Sequence, residues 1–248
     1  MLLYRPSAAR GVTQTSWLNG KHSFSFGQYR DPDWHHFGAL RVINEDVVAP
    51  GGGFPPHDHA DMEIITVVLS GELAHKDSLG SAASIKPNQI QMMRAGTGIE
   101  HSEFNASSTE PVHLLQIWIM PHTRGLAPDY WDRTLDESDR RGKWQCVIAP
   151  SDMTDHLSDV TNPLGADDNT KPFAIAADAR LSLTQLTSGQ SITLPSEKGR
   201  KYWLQVAKGS VNYGEQELSQ GDGLGIFGEP ARDITAGEDS ELLLFDLG

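Results

Sequence analysis

The chain has 248 residues, with 20 basic against 33 acidic side chains and a formal net charge of −13. A surface this negative repels phosphate backbones, and direct nucleic-acid binding would need a local basic patch that we do not find in the sequence. The composition, 38% hydrophobic and 21% charged, is typical of a globular protein, and the single cysteine, Cys146, excludes an intramolecular disulfide.

The N-terminus and the apolar runs argue against secretion and membrane insertion. Arg5 and Pro6 interrupt the region where a signal peptide would need an unbroken apolar segment. The longest apolar runs, such as residues 64–69, are far shorter than a membrane span. We therefore expect a cytoplasmic protein that makes no membrane contact.

The first half of the chain has the pattern of short strands separated by glycine and proline turns. The predicted elements are strands at 39–48, 62–69 and 112–120, a strand pair at 85–94 with a turn at Pro87 and Asn88, a glycine break at 51–53, a turn at Ser70 and Gly71, and a loop at 79–83. Such spacing is typical of a β-sandwich or barrel and not of alternating strands and helices.

The middle of the chain changes character and the second half repeats the first in outline. Residues 121–143 are polar and read as a linker, with a short helical turn expected at 129–135. Gly209 stands where Gly71 stands in the first half, but no histidine follows His156. We therefore predict two domains, 1–135 and 136–248, the second without a metal site. The acidic segment 150–172 reads as an exposed loop.

Two histidine-containing segments carry the strongest functional signal. They read HDHADME from His57 and HSEFN from His101. Alternate side chains of a strand share a face, so His57 and His59 point the same way, as do His101 and Glu103. If the two strands are neighbours, three imidazoles and one carboxylate converge. The alternative is a polar strand face that carries two alternating pairs by chance.

The residue types at this point fit a divalent transition metal. Neutral imidazole suits Zn, Cu, Fe and Ni, and mixed nitrogen and carboxylate ligands favour a redox-capable or Lewis-acid metal over Ca or Mg. Four protein ligands leave positions open on an ion that prefers six, as catalysis requires. The other histidines lack a partner at ligand spacing and are interpreted as surface or hydrogen-bonded residues: His22, His35, His36, His75, His113, His122 and His156.

The sequence around both pairs resembles a known family. The segment GGGFPPHDHADMEIITVVLSG looks like the first cupin motif, and GTGIEHSEFN looks like the second. With the preceding SWLNGKHSFSFGQYRDPDWHHFGALRVINEDVV, they resemble the pirin family of two-domain cupins. The resemblance implies an all-β fold of two tandem cupin (jelly-roll) domains, with a metal held by His57, His59, His101 and Glu103.

The identity of the carboxylate ligand is open on strand parity alone. Glu63 shares a face with His57 and His59 by parity, and many cupins take their carboxylate from the first motif. The pirin resemblance favours Glu103, two residues after the last histidine. Glu63 would then orient a metal-binding imidazole without binding the metal itself.

The pirin resemblance also implies a function, a quercetin 2,3-dioxygenase acting on a small aromatic hydroxy-ketone and O2. Fe(II) is the metal we expect first, with Mn, Co, Ni, Cu and Zn as alternatives, and Glu103 is the candidate catalytic base. Two other readings stay open. One is a metal-dependent interaction protein that binds a protein partner as a transcription co-regulator, and the other is a metabolite-binding pocket without turnover.

Overall fold

The computed structural model describes residues 1–151 and 171–248, and the regular secondary structure of these residues is almost entirely β-strand. Their helical elements are single turns of 3-10 helix, Ser7–Ala9 and Glu137–Asp139. Within these two ranges no helix is long and apolar enough to cross a membrane. The acidic segment predicted as a loop at 150–172 lies almost wholly outside the described residues.

Twenty strands make up the described chain. The first ten are β1 (Leu2–Arg5), β2 (Gly11–Gln14), β3 (Leu18–His22), β4 (Leu40–Val48), β5 (Gly53–Ser70), β6 (Leu73–Asp77), β7 (Ala82–Ile85), β8 (Gln89–Asn105), β9 (Val112–Ile119) and β10 (Asp129–Thr134). The second ten are β11 (Gln145–Pro150), β12 (Phe173–Ile175), β13 (Ala179–Leu186), β14 (Ser191–Leu194), β15 (Lys201–Lys208), β16 (Ser210–Tyr213), β17 (Gln216–Ser219), β18 (Gly223–Phe227), β19 (Arg232–Ala236) and β20 (Ser240–Leu247).

These strands divide between two compact units. The first, which we call the histidine unit, comprises residues 11–36 and 40–135. The second, the C-terminal unit, comprises residues 1–10, 37–39 and 136–248. The first ten residues fall in the C-terminal unit because β1 pairs with β18. The domain limits 1–135 and 136–248 stay a prediction, and the compact units differ from them at these N-terminal segments.

The histidine unit is built on one nine-stranded sheet. Its order is β2-β3-β4-β9-β5-β8-β6-β7, with β10 pairing on β8 as well. The longest strands, β5 with 18 residues and β8 with 17, are antiparallel neighbours. This pairing brings together the two histidine segments that lie more than forty residues apart in the chain, with His57 directly opposite His101.

The β5–β8 ladder is interrupted on both sides of the first histidine pair. Its register shifts between Phe54 and His57 and again between His59 and Asp61. Asp61 has a φ of 64°, a left-handed conformation that is uncommon outside glycine. Because no shift falls between His57 and His59, their alternation is preserved. The bulge after His59 breaks the parity on which Glu63 was expected to share their face.

The C-terminal unit contains a seven-stranded sheet, β1-β18-β15-β20-β13-β11-β12, and a four-stranded sheet, β14-β19-β16-β17. The internal repeat is visible at its glycine turns. Gly71 after β5 and Gly209 after β15 have φ values of 79° and 76°. A Cβ at either position would come within 2.5 Å of a backbone carbonyl oxygen, that of Pro111 or of Asp239. Both turns therefore require glycine, because the backbone conformation is left-handed and because a Cβ would clash with a carbonyl oxygen.

Two local predictions were wrong. The helical turn expected at 129–135 is strand β10, which pairs with β8 so that Trp131 faces Met92 and becomes buried. The alternation of buried and exposed residues in this segment was not apparent from the sequence, because one of the buried residues is the charged Arg133. The loop expected at 79–83 already contains the start of β7, which pairs with β6 from Ala82.

Candidate metal centre

Three of the predicted ligands meet at one point. His57 and His59 lie on β5 and His101 lies opposite on β8. The ring centroids are 4.8 Å apart for His57 and His59, 4.5 Å for His57 and His101, and 4.8 Å for His59 and His101. One ligand nitrogen from each ring lies within 4.8 Å of the other two. The sequence prediction that these imidazoles converge is correct.

The hydrogen bonds around the rings leave nitrogens available for a metal. His57 Nδ1 donates to the Pro55 carbonyl oxygen at 2.8 Å, which leaves Nε2 as the nitrogen with a free lone pair. That atom lies 3.1 Å from His101 Nε2. His59 Nε2 is buried and has no hydrogen-bond partner. A buried polar atom without a partner is costly, and a bound cation would satisfy it.

The electrostatic environment keeps the imidazoles of His59 and His101 neutral. Burial, reinforced by the neighbouring His57, lowers the pKa of His59 to about 4. Burial and the rings of His59 and His57 lower the pKa of His101 to about 2. Both side chains are therefore unprotonated at neutral pH, which is the form that binds metal.

Glu103 lies next to this cluster and is fully buried. Gln116 Nε2 on β9 donates to Glu103 Oε2 at 2.6 Å, whereas Glu103 Oε1 has no hydrogen-bond partner. Burial raises the pKa of the Glu103 carboxyl, although His75 and the Gln116 hydrogen bond oppose the shift. The Glu103 carboxylate lies within 4.8 Å of His101 and His75, and this trio shares only His101 with the three-histidine cluster. Glu103 as a metal ligand stays a prediction.

His75 is the residue at this site that the sequence did not reveal. It lies on β6, directly opposite Glu103 on β8, and is buried. Its ring stacks on Tyr130 at 4.6 Å and lies 5.3 Å from the His101 ring. Its Nε2 is 3.2 Å from Asp77 Oδ2. Its partner at strand spacing is Asp77, on the same strand, and only the pairing of β6 with β8 could have indicated that His75 lies beside Glu103.

Glu63 is placed differently from the parity expectation. It is buried opposite Arg94 on β8, and Arg94 Nε lies 3.3 Å from Glu63 Oε1. The Arg94 guanidinium in turn lies over the Trp131 ring, 5.1 Å from its centroid. Glu63 belongs to neither cluster of potential ligands found in the described residues. Its charge is compensated by an arginine, which gives it a structural role in this part of the sheet.

The cluster opens onto a cavity of about 780 Å³ inside the histidine unit. Its walls combine aromatic rings with a few polar groups, the usual composition of a small-molecule site. The lining residues are Val12, Thr13, Leu18, His22, Phe26, Gly27, Gln28, Tyr29, Asn44, Asp46, Phe54, His57, His59, Glu103, Gln116 and Trp118. A metal held by the histidines would therefore face a space large enough for an aromatic ligand.

The donor set fits one divalent transition metal. Three imidazoles converge, two of them (His59 and His101) with a buried nitrogen that lacks a partner, and a buried carboxylate lies beside them. Hard ions such as Ca²⁺ and Mg²⁺ prefer oxygen ligands, so a nitrogen-rich set disfavours them. The adjoining cavity leaves room for further ligands on the same ion.

Comparisons with known proteins agree with this geometry. The family description "Pirin" matches residues 5–119, and "Quercetinase C-terminal cupin domain" matches residues 164–247. The predicted fold, all-β with two tandem cupin domains, is thereby confirmed.

Relatives cover the whole chain. It is 40% identical to a quercetin 2,3-dioxygenase of Escherichia coli K12 over 247 residues, which are 100% of this chain and 99% of that protein. It is 38% identical to a pirin-like protein of Caulobacter vibrioides, with 99% of each chain covered. The crystal structure of the bacterial pirin YhhW from Escherichia coli in complex with nickel(II) superimposes with a TM-score of 0.87 at 40% identity, covering 100% of this chain and 99% of that one.

Proposed function

The chain belongs to the pirin family, and from that premise we propose that it is a metal-dependent dioxygenase of the quercetin 2,3-dioxygenase type. Its substrate would be a flavonol or a related aromatic hydroxy-ketone, which O2 opens with release of carbon monoxide. The similarity to a protein named quercetin 2,3-dioxygenase along the full chain supports this assignment.

The observation that carries the proposal is the position of the histidine cluster. His57 and His59 line an aromatic-walled cavity, and the third imidazole meets them there with its Nε2 3.1 Å from that of His57. A structural metal site is closed by its protein ligands, whereas this cluster is open to a space that can hold a substrate.

We propose that His57, His59, His101 and Glu103 hold one divalent transition metal. Fe(II) is our first expectation, with Mn, Co, Ni, Cu and Zn as alternatives, and nickel is the ion named for the similar YhhW complex. When bound, such a metal acts as a Lewis acid that stabilises the deprotonated hydroxy-ketone and favours its oxidation.

The chain's own residues would position the substrate and move its proton. Phe26, Phe54 and Trp118 line the cavity and present aromatic faces and edges to a planar ring. Glu103 lies beside the histidine cluster and is the candidate to accept the hydroxyl proton. Burial raises the pKa of its carboxyl, which strengthens it as a base. Gln116 fixes one oxygen of that carboxylate and leaves Oε1 for the proton or the metal.

The test compares metal content and turnover in the same samples. Wild-type protein loaded separately with Fe(II) or nickel should consume oxygen and lose the flavonol absorbance band. His101→Ala removes a proposed metal ligand. Elemental analysis should therefore show loss of bound metal, and the rate should fall at least about 1000-fold. His122→Ala, which changes an exposed histidine bonded to Thr123, should behave as wild type.

A metal-loaded wild type that leaves flavonol and oxygen unchanged, beside an active quercetinase in the same buffer, would exclude the proposed activity.

The cytoplasmic location and a protein partner stay predictions. Any partner bound by a metal-dependent surface should be released when the metal is stripped.

A further inference from the structure

A second carboxyl group lines the cavity and takes no part in the predicted metal set. Asp46 lies on β4 between the partly exposed Glu45 and Val47, and Asn44, two residues earlier on the strand, faces the same side. Its side chain is buried, with 4% of the residue exposed, yet it belongs to the cavity wall.

Asp46 has an oxygen that the protein leaves without a partner. Its Oδ1 is buried and makes no hydrogen bond. The neighbouring polar side chains bond to each other: His22 Nε2 is 2.8 Å from Thr13 Oγ1, and His22 Nδ1 is 2.8 Å from Asn44 Oδ1. Leaving a buried carboxyl oxygen unsatisfied costs free energy, so a group supplied by a ligand would stabilise this arrangement.

The backbone beside Asp46 makes room for that oxygen. Gly20 on β3 pairs directly with Asp46, and a Cβ at Gly20 would lie 2.6 Å from Asp46 Oδ1. Any other residue there would displace the carboxyl group. The position of the Asp46 carboxyl group, and of Oδ1 in particular, therefore depends on glycine at the opposite strand.

The surroundings of Asp46 favour a neutral hydrogen-bonding partner. The charges that act on it are those of Glu103 and Glu45, which have the same sign. Together with burial, which is the larger cause, they raise the pKa of Asp46 to about 7. Near neutral pH the carboxyl group can therefore accept or donate a hydrogen bond, which is the chemistry of a hydroxyl partner.

Aromatic rings connect this polar corner with the histidine cluster. The Trp118 ring meets His59 edge-on at 4.9 Å and meets Phe26 edge-on at 5.4 Å. Phe26 in turn lies 5.2 Å from the His22 ring. One wall of the cavity is thus continuously aromatic from a predicted metal ligand to the His22–Asn44 pair. A flat ligand with polar substituents fits such a wall.

We propose that Asp46 is a further substrate-binding residue, whose Oδ1 hydrogen-bonds a ring hydroxyl of a polyhydroxylated aromatic substrate while the hydroxy-ketone end faces the metal. This inference rests on the proposed function for the nature of the substrate. The role of Asp46 implies that the cavity selects among ligands by the number of their ring hydroxyls.

The test measures selectivity between two ligands that share the hydroxy-ketone. Quercetin carries additional ring hydroxyls, whereas 3-hydroxyflavone carries none. Binding is titrated by fluorescence without oxygen on nickel-loaded protein, so that affinity is separated from turnover. Asp46→Leu should lower the preference for quercetin about 5- to 100-fold, the range of one lost hydrogen bond to a buried or charged group. Asp46→Asn should restore part of it.

Two further variants complete the design. Gly20→Ala displaces the carboxyl group without removing it and should reduce the same preference, so the test stands even if Asp46→Leu does not fold. Asp33→Asn removes an equal charge at an exposed loop position and should leave the preference unchanged.

The outcomes separate this inference from the proposed function. An unchanged quercetin preference in folded Asp46→Leu and Gly20→Ala would overturn the role of Asp46, even if the wild type consumes quercetin under oxygen. An Asp46-dependent preference without any turnover would support the binding role and reject only the dioxygenase activity. Failure of the wild type to bind either flavonol would overturn both.

Discussion

The two units of this chain use mainly antiparallel sheets, but their interiors differ in how many polar and charged side chains they bury. In the C-terminal unit, a large core cluster consists of buried hydrophobic side chains such as Leu204, Leu224 and Leu244. The interior of the histidine unit instead contains buried polar and charged residues. They are His22, Ser23, Ser25, Asn44, Asp46, Glu63, Thr66, His75, Gln91, Arg94, His101, Glu103, Asn105, Gln116 and Arg133. Its apolar residues form smaller clusters, for example around Ile64 and Met93.

This difference shows that the fold alone does not determine the site. A filled apolar core contributes to stability, whereas a cavity lined by polar groups contributes little and costs free energy wherever an atom lacks a partner. The atoms without partners are therefore informative. His59 Nε2, Glu103 Oε1 and Asp46 Oδ1 all belong to residues that line the same cavity. Residues with such atoms are those expected to contact a metal or a substrate.

The largest expected effect concerns the filled core. Leu204→Ala should lower the free energy of unfolding by about 2–5 kcal/mol, because it leaves a cavity where a fully buried leucine packed. It should leave metal stoichiometry unchanged, since Leu204 belongs to the unit without the histidine cluster. Denaturant unfolding and elemental analysis measure the two quantities. Leu79→Ala, an exposed leucine, is the control. Loss of metal from folded Leu204→Ala would refute this division of roles.

The sequence was most informative where strand alternation is uninterrupted. His57 and His59 follow the parity rule because the β5–β8 register is continuous between them, and His101 and Glu103 follow it because the pairing of β8 with β6 is continuous there. Beyond the bulge at Asp61 the rule fails, and Glu63 instead pairs with Arg94. A bulge depends on how two strands pair, which a single strand's sequence does not encode.

Residues brought in by sheet order were also beyond the reach of the sequence. His75 lies beside Glu103 only because β6 pairs with β8, and Asp46 faces the cavity through the pairing of β4 with β3 and β9. The second half was predicted well in outline, because the turn at Gly209 needs the same backbone conformation as that at Gly71. The positions of His75 and Asp46 are determined by long-range strand pairing and not by local propensity.

The second prediction addresses the cost of a polar interior. Burial, with Glu103 and Glu45, raises the pKa of Asp46 from 3.8 to about 7. As pH rises from about 4 to about 7, the unfolded chain loses this proton while the folded protein keeps it, so stability falls. Asp46→Asn removes this dependence. Relative to wild type, the metal-free variant should gain on the order of 3 kcal/mol between pH 4.5 and pH 8.

Denaturant unfolding at the two pH values measures this gain. Asp33→Asn, at an exposed position, should show no pH-dependent difference from wild type. If the stability difference between Asp46→Asn and wild type is the same at both pH values, Asp46 does not carry the raised pKa that its burial implies.

The smallest expected effect tests whether the polar interior acts as a support for the metal centre. His75→Phe keeps a ring that can stack on Tyr130 but removes the nitrogens beside His101 and Glu103. Groups behind metal ligands hold them in the binding orientation, so the variant should bind nickel about 10- to 100-fold more weakly with little change in stability. His113→Phe, which removes a half-buried histidine bonded to Glu45, is the matched control. Wild-type nickel affinity in both variants, measured by competition with a chelator, would show that His75 only fills space. An equal loss in both would point to a general disturbance of the sheet, because His113 lies on β9 and His75 on β6.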